Sequence, residues 1–173
     1  MPIRGGAYVK TTWAYQERPV ASAKFNQWDD RIEAALEMLH FLVCRAWGGG
    51  DGVLRGVTTD DLGVRAASPP SLAVDVGAGW AFIDGLPFRM DEARSSAQIA
   101  PPTTDPRIDL VEARLDAWDI RLRTGGEAAS PVAPEPEQGG IALAHIRCRP
   151  GMTRILDADN GVDGWIVDAR TFV

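Results

Sequence analysis

Cysteine is scarce in this chain: Cys44 and Cys148 are the only two in 173 residues, far apart and without the close pairing of a metal knuckle or redox motif. That spacing excludes a disulfide-stapled scaffold and a cysteine zinc site, and leaves both as expected small buried hydrophobes. Long apolar runs are also missing. None reaches the roughly 20 residues of a membrane-spanning helix, and the N-terminus lacks the apolar core of a secretory signal. The sequence is expected to act in solution, with no membrane span. Lysine occurs twice and histidine twice, and the net charge is −6 with a pI near 4.9. A phosphate backbone needs a basic face, so nucleic acid is not expected as a partner. The first 24 residues run the other way, with Arg4, Lys10, Arg18 and Lys24 against Glu17.

Catalytic signatures are missing too. There is no G-x-S-x-G, no H-E-x-x-H and no lysine-bearing phosphate loop. His40 falls in an apolar helical stretch and His145 on an alternating strand, neither beside a nucleophile. Asp105, Asp109 and Glu112 lie close together, but Asp109 is expected to pair with Arg107 or Arg147 rather than to serve as a general acid or base. Asp157, Asp159, Asp163 and Asp168 occupy positions 1, 3, 7 and 12 of a calcium-loop count. The count fails where it is most demanding: Val162 stands at position 6 in place of glycine, and an aspartate rather than a glutamate stands at position 12. An acidic turn between strands is the expectation. No enzyme, cofactor or metal is anticipated.

What is abundant is turn chemistry. Eighteen glycines and twelve prolines in 173 residues exceed the average share of about 12%, which favours many short strands. Leu72 to Arg89 contains Asp84-Gly85, a strong two-residue hairpin signal because both central positions of a type I′ turn need positive φ. Strands are expected at about 72–76, 80–83, 86–90 and 97–100. A second hairpin, 107–115 and 118–123, is expected to turn over Asp116-Ala117; its Trp118, Ile120 and Leu122 alternate with Asp119, Arg121 and Arg123. Strands at 141–149, 155–156 and 165–173 follow. Trp80, Trp118 and Trp165 are expected in the core. Residues 125–140 are proline-rich and polar, and read as an extended arm of polyproline character.

Upstream, Ser22 to Trp47 carries no glycine or proline until Gly48-Gly49-Gly50, and Ser22 can cap a helix N-terminus. Phe25, Trp28, Ile32, Ala35, Leu39, Leu42 and Ala46 follow a 3-4 alternation over three heptads. Leu36, Met38, Phe41 and Val43 widen the apolar face. That helix either lies across its own β domain or bundles with copies of itself. The expected fold is therefore mainly β with an N-terminal helix: a small antiparallel β-sandwich or barrel preceded by one long amphipathic helix. Its parts are a docking tail (1–21), the helix (22–47), a connector (48–71) and the β domain (72–173) with its arm at 125–140. Interface candidates are Trp13, Tyr15, Phe25, Trp28, Ile32, Leu39 and Leu42.

Several segments together resemble the baseplate and tail-fibre attachment proteins of tailed bacteriophages. Trp13-Ala14-Tyr15 followed by Pro19-Val20-Ala21-Ser22-Ala23-Lys24-Phe25-Asn26 is similar to the entry to their first helix. Ser71 to Arg89 is similar to their central hairpin, and Asp105 to Val111, Ser130 to Pro134 and Ile141 to Ala144 to later segments in the same order. The resemblance implies a non-enzymatic virion component, assembled in the host cytoplasm, that joins tail or baseplate proteins as a homo-oligomer, with a trimer favoured. No fibre shaft follows the β domain in the sequence, which favours an adaptor over a receptor-binding fibre. The alternative is a carbohydrate-binding, receptor-recognition module of a tail tip or cell surface, carried by exposed tryptophan and the acidic turn.

Overall fold

Residues 22–46 and 50–173 are described by a computed structural model, in which the chain divides into two units, 1–49 and 50–173. In the first, helix α1 (Ser22–Ala46) is 25 residues long, a length of about 37 Å at 1.5 Å per residue. It matches the uninterrupted apolar-periodic stretch read from the sequence.

The second unit holds eleven strands. Gly52–Val53 (β1), Gly79–Ile83 (β4) and Leu86–Met90 (β5) form one three-stranded sheet in the order β1-β4-β5. Val64–Ala66 (β2), Val74–Val76 (β3) and Arg94–Ser95 (β6) form a second, ordered β2-β3-β6. Arg107–Arg114 (β7), Asp119–Arg123 (β8), Gly140–Cys148 (β9), Ile155–Leu156 (β10) and Gly164–Asp168 (β11) build the third, ordered β10-β11-β9-β7-β8. The fold is thus mainly β with one helix, as the turn-rich composition implies. The β4–β5 hairpin closes on Asp84 and Gly85 at φ 51° and 74°, the two positive values a type I′ turn demands.

Several boundaries differ from the sequence reading. The stretch expected as a connector, 48–71, contains β1 and β2, both paired into sheets of the β domain. A strand was expected at 97–100; pairing instead occurs at β6, and Ile99 donates one backbone bond to Leu72 while its side chain enters the core. The second hairpin closes over four residues, since Arg114 pairs with Asp119. Trp118 therefore sits in the loop at φ 48°. Finally, β10 and β11 run parallel, as does a bridge from Val53 to Phe172, so the domain is not wholly antiparallel. Around that bridge, Val53 N–H donates to Thr171 O at 2.7 Å and Val173 N–H to Val53 O at 3.1 Å.

All three sheets contribute to one core. Val53, Ile83 and Phe88 come from the first, Val74 and Val76 from the second, and Val111, Leu143, Ile146 and Ile155 from the third, joined by Leu62 and Ile99 from loops. On β7 and β9 the register sorts side chains by face. Val111, Ala113, Ala144 and Ile146 point to the core; Ile108, Leu110, Glu112, His145 and Arg147 share the opposite, outer face.

That outer face is covered. Ile108 and Leu110 are 2% and 0% exposed, yet neither belongs to the core cluster. The 125–140 segment accounts for it. It leaves β8 with Gly125 N–H on Asp109 Oδ1 (2.9 Å) and Ala128 N–H on Pro106 O (3.1 Å), and returns with Glu137 N–H on Glu112 Oε2 (3.0 Å). A Cβ at Gly125 would lie 2.0 Å from Ile108 O, so only glycine lets the chain turn onto the sheet so closely. Between those anchors the proline-rich residues cross β7 from the level of Pro106 to that of Glu112. The expected extended loop or arm lies along the sheet as a strap. Because prolines lack an N–H and hold their own extended φ, the segment needs no strand partner to cover the sheet.

Candidate interaction surfaces

The described interface candidates gather on one stripe of α1. At about 100° per residue, Phe25, Trp28, Ile32, Leu36, Leu39 and Leu42 fall within an arc of about 120°, while Asp30 and Glu33 lie outside it. The stripe is exposed: Phe25 50%, Trp28 46%, Ile32 37%, Leu39 54% and Leu42 44%. Leu36 and Met38 are exposed as well, so the widening of the face toward its second half is real. Trp13 and Tyr15 lie outside the described residues, as do the side chains of His40 and Cys44. The 3-4 spacing places Phe25, Ile32 and Leu39 at one heptad position and Trp28, Ala35 and Leu42 at the other, the pattern of a coiled-coil seam.

The acidic turn is internally saturated. Asp163, almost buried, accepts from Asn160 Nδ2 (3.0 Å), from the Thr153 N–H and hydroxyl (both 3.2 Å) and from Arg154 Nε (3.0 Å). The Asn160 amide leads in holding its carboxyl down at about 2. Asp159 takes a two-pronged contact from Arg149 at 2.6 and 2.9 Å, which likewise lowers it to about 2. Asp157 accepts from the Ala66 N–H and Asp168 pairs with Arg170. Each carboxylate of the calcium-like count thus has a protein donor, and no group of metal-ligating side chains occurs among the described residues. The turn is structural.

Carboxylates near the start of β7 behave similarly. Asp109, fully buried, receives Arg107 Nε at 2.8 Å and Nη2 at 3.0 Å, the pairing that their i, i+2 spacing on one strand face allows. Cys148 lies beside them, its thiol 3.7 Å from Asp109 Oδ2. Burial and the neighbouring carboxylate push that thiol up to about 12, far from the thiolate a nucleophile requires. Glu112 meets the strap and Arg114 Nη1 bonds Glu137 Oε2 at 2.7 Å. Asp105, Asp109 and Glu112 are not brought together as a proton-transfer pair: Asp109 faces the core side of β7 and Glu112 the strap.

The three strand tryptophans expected in the core are at the surface or half-buried. Trp118, placed in a loop by its positive φ, is 55% exposed and stacks on the buried Phe88 ring at 6.3 Å. Trp80 carries the Arg89 guanidinium 5.0 Å from its ring centroid, and Trp165 that of Arg149 at 4.1 Å. Alternation in β4 and β11 turns both rings outward, where arginine, the abundant cation here, covers them. Sequence reasoning missed the strap contacts because its anchors, Gly125, Glu127 and Glu137, are separated from their partners Asp109, Thr103 and Glu112 by 16 to 25 residues.

No family model matches the chain, and neither a characterised protein nor a solved structure is significantly similar to it.

Proposed function

We propose that the chain is a non-enzymatic structural protein of a tailed-phage virion, a baseplate or tail-fibre adaptor that joins tail components through protein–protein contacts. The observation that carries this reading is the exposed apolar stripe of α1. Five large hydrophobic side chains in heptad register on a single helix, with Leu36 beside them, are an unfilled seam, and self-association is the simplest way to fill it. A homotrimer is the favoured assembly, formed in the host cytoplasm before incorporation into the particle. The β domain supports the same reading: the β7 carboxylates Asp109 and Glu112, those of the acidic turn and the Cys148 thiol are committed to structural contacts, so what these groups offer a neighbour is surface rather than chemistry. The resemblance of the segments around Trp13, Ser71–Arg89 and Asp105–Val111 to phage attachment proteins supplies the context.

The carbohydrate-binding alternative rested on free tryptophan faces and a calcium-dependent turn. Trp80 and Trp165 each have an arginine over the ring, and the turn's carboxylates are bonded to protein donors, which leaves this reading only the exposed Trp118 in the β domain.

Light scattering of the full chain tests the proposal. A trimeric mass that collapses to monomer in the Ile32→Asp/Leu39→Glu variant supports a helical seam. A monomer for the unaltered chain at micromolar concentration counts against self-assembly, and failure to be retained on purified tail particles would sink the adaptor role.

A further inference from the structure

Where the strap ends of the β domain meet β9 and β11, a cavity of about 350 Å³ beside Pro134 and His145 and a second of about 260 Å³ beside Pro131 and Trp165 open on the outer face. The second carries a chemical signature that the first does not. It is walled by Pro106 and Pro131, floored by Trp165, and lined by Arg107, Arg147 and Arg149, without one acidic side chain. In a chain of net charge −6, three arginines line this pocket, and the carboxylates that hold two of them, Asp109 and Asp159, are not among its lining residues.

Two of the three arginines are already engaged. Arg107 is bonded to Asp109 and to the carbonyl of Ala100. Arg149 is held by Asp159 and by Asp163 O at 3.0 Å, and lies flat on the Trp165 ring. Arg147 differs. Its side chain makes no hydrogen bond or ion pair among the described residues, although it is half-buried. The register sets it in a row across the outer face, with Ile108 on one side and Trp165 on the other. Its guanidinium therefore sits between apolar walls, partly desolvated, with its donors unspent.

We propose that this pocket binds an acidic side chain on a peptide segment of a partner protein, with the carboxylate received by Arg147 and a flanking apolar residue resting on Pro131 beside the edge of Trp165. An arginine fork matches a carboxylate with two parallel bonds. Partial desolvation makes that contact stronger than it would be on open surface. Proline and tryptophan walls supply rigid apolar contact that loses little entropy on binding. The cavity volume fits one or two side chains, and so a short segment rather than a folded domain. All the residues that line this site belong to the β domain, and none to α1.

The test uses the full chain labelled with 5-fluorotryptophan, whose Trp165 fluorine resonance is assigned by its loss in Trp165→Phe. The probe is acetyl-Leu-Glu-Leu-amide, in which the glutamate side chain is the only carboxylate. Saturable movement of the Trp165 signal, with the other five tryptophan signals still, is expected. Acetyl-Leu-Gln-Leu-amide should bind at least tenfold more weakly, and Arg147→Gln should weaken the glutamate probe by the same factor or more. Arg121→Gln, on an exposed part of β8, should leave it unchanged. No movement up to the solubility limit of the probe, equal response to the glutamine peptide, or full binding by Arg147→Gln overturns the proposal. A response to glucuronate in place of the peptide overturns it equally, because the ligand would then be an acidic sugar.

Discussion

Leu110→Ala tests whether the 125–140 segment is a strap or an ornament. Leu110 faces away from the main core by register, so on a bare sheet it would be solvated and its truncation would cost within about 0.5 kcal/mol. In the structure it is 0% exposed, enclosed between β7 and the strap. Truncating a buried leucine costs about 2–5 kcal/mol from lost transfer and the cavity left behind. With a urea m-value of about 2 kcal/mol/M for a domain of this size, the unfolding midpoint should fall by about 1–2.5 M, measured at fixed protein concentration because assembly shifts apparent stability. A second variant, in which residues 129–136 are replaced by an equal length of Gly-Ser, removes the cover. In that background Leu110→Ala should become nearly neutral, giving a coupling of about 1.5 kcal/mol or more. A cost below about 1 kcal/mol in the native background, or an unchanged cost after strap replacement, would refute the assignment of the strap as a second packing layer.

Asp109→Asn leaves the Arg107 guanidinium without its charge partner in a buried setting, and should destabilise by about 3–5 kcal/mol in denaturant titration. Asp163 has a folded pKa of about 2, below its unfolded value near 3.9. Its contribution is fully present above about pH 4, is lost as pH falls toward 2, and should vanish in Asp163→Asn, flattening the acid limb of a thermal-melt series over that window. Cys148, with its thiol raised to about 12 by burial, should resist a thiol reagent at pH 8 in Cys44→Ser until denaturant is added; rapid labelling of the native variant would contradict the enclosed site. Ile32→Asp/Leu39→Glu should lower the mass of the assembly without altering the β-sheet circular dichroism, as expected if the stripe serves association rather than folding of the β domain.

The elements that were legible in the sequence are those whose signals are local. Asp84-Gly85 names its own turn type, the alternation through 107–114 and 141–148 names a buried pair of strands, and the uninterrupted 22–46 stretch names a helix. What escaped were features set by distant partners. β1 and β2 are only two and three residues long and exist because β4 and β3 offer edges to pair with; no period can be read from so few residues. Trp118 looked like one more apolar position of an alternating strand, but the four-residue loop takes it out of phase and turns it to solvent. The prolines at 131, 134 and 136 read as solvated polyproline because proline has no ladder to join, and nothing local shows that a sheet face lies beneath them. Likewise the calcium-like count of aspartates is a matter of spacing, and only Arg149, Arg154 and Asn160 in three dimensions reveal that the oxygens are taken. Of the candidate surface, the helix stripe was readable from heptad spacing; the arginine pocket was not, since it joins residues from four separate segments.

The bridge between Val53 and Phe172 places the first strand of the β domain beside its last residues. Entry and exit therefore share one corner, fastened by the Val53–Thr171 and Val173–Val53 backbone bonds. A pull applied between residues 50 and 173 would load those two bonds in shear, because parallel strands drawn from opposite ends slide along each other rather than unzip. Force drawn across the β domain therefore meets a sheared clasp at Val53 before it stretches the three-sheet core.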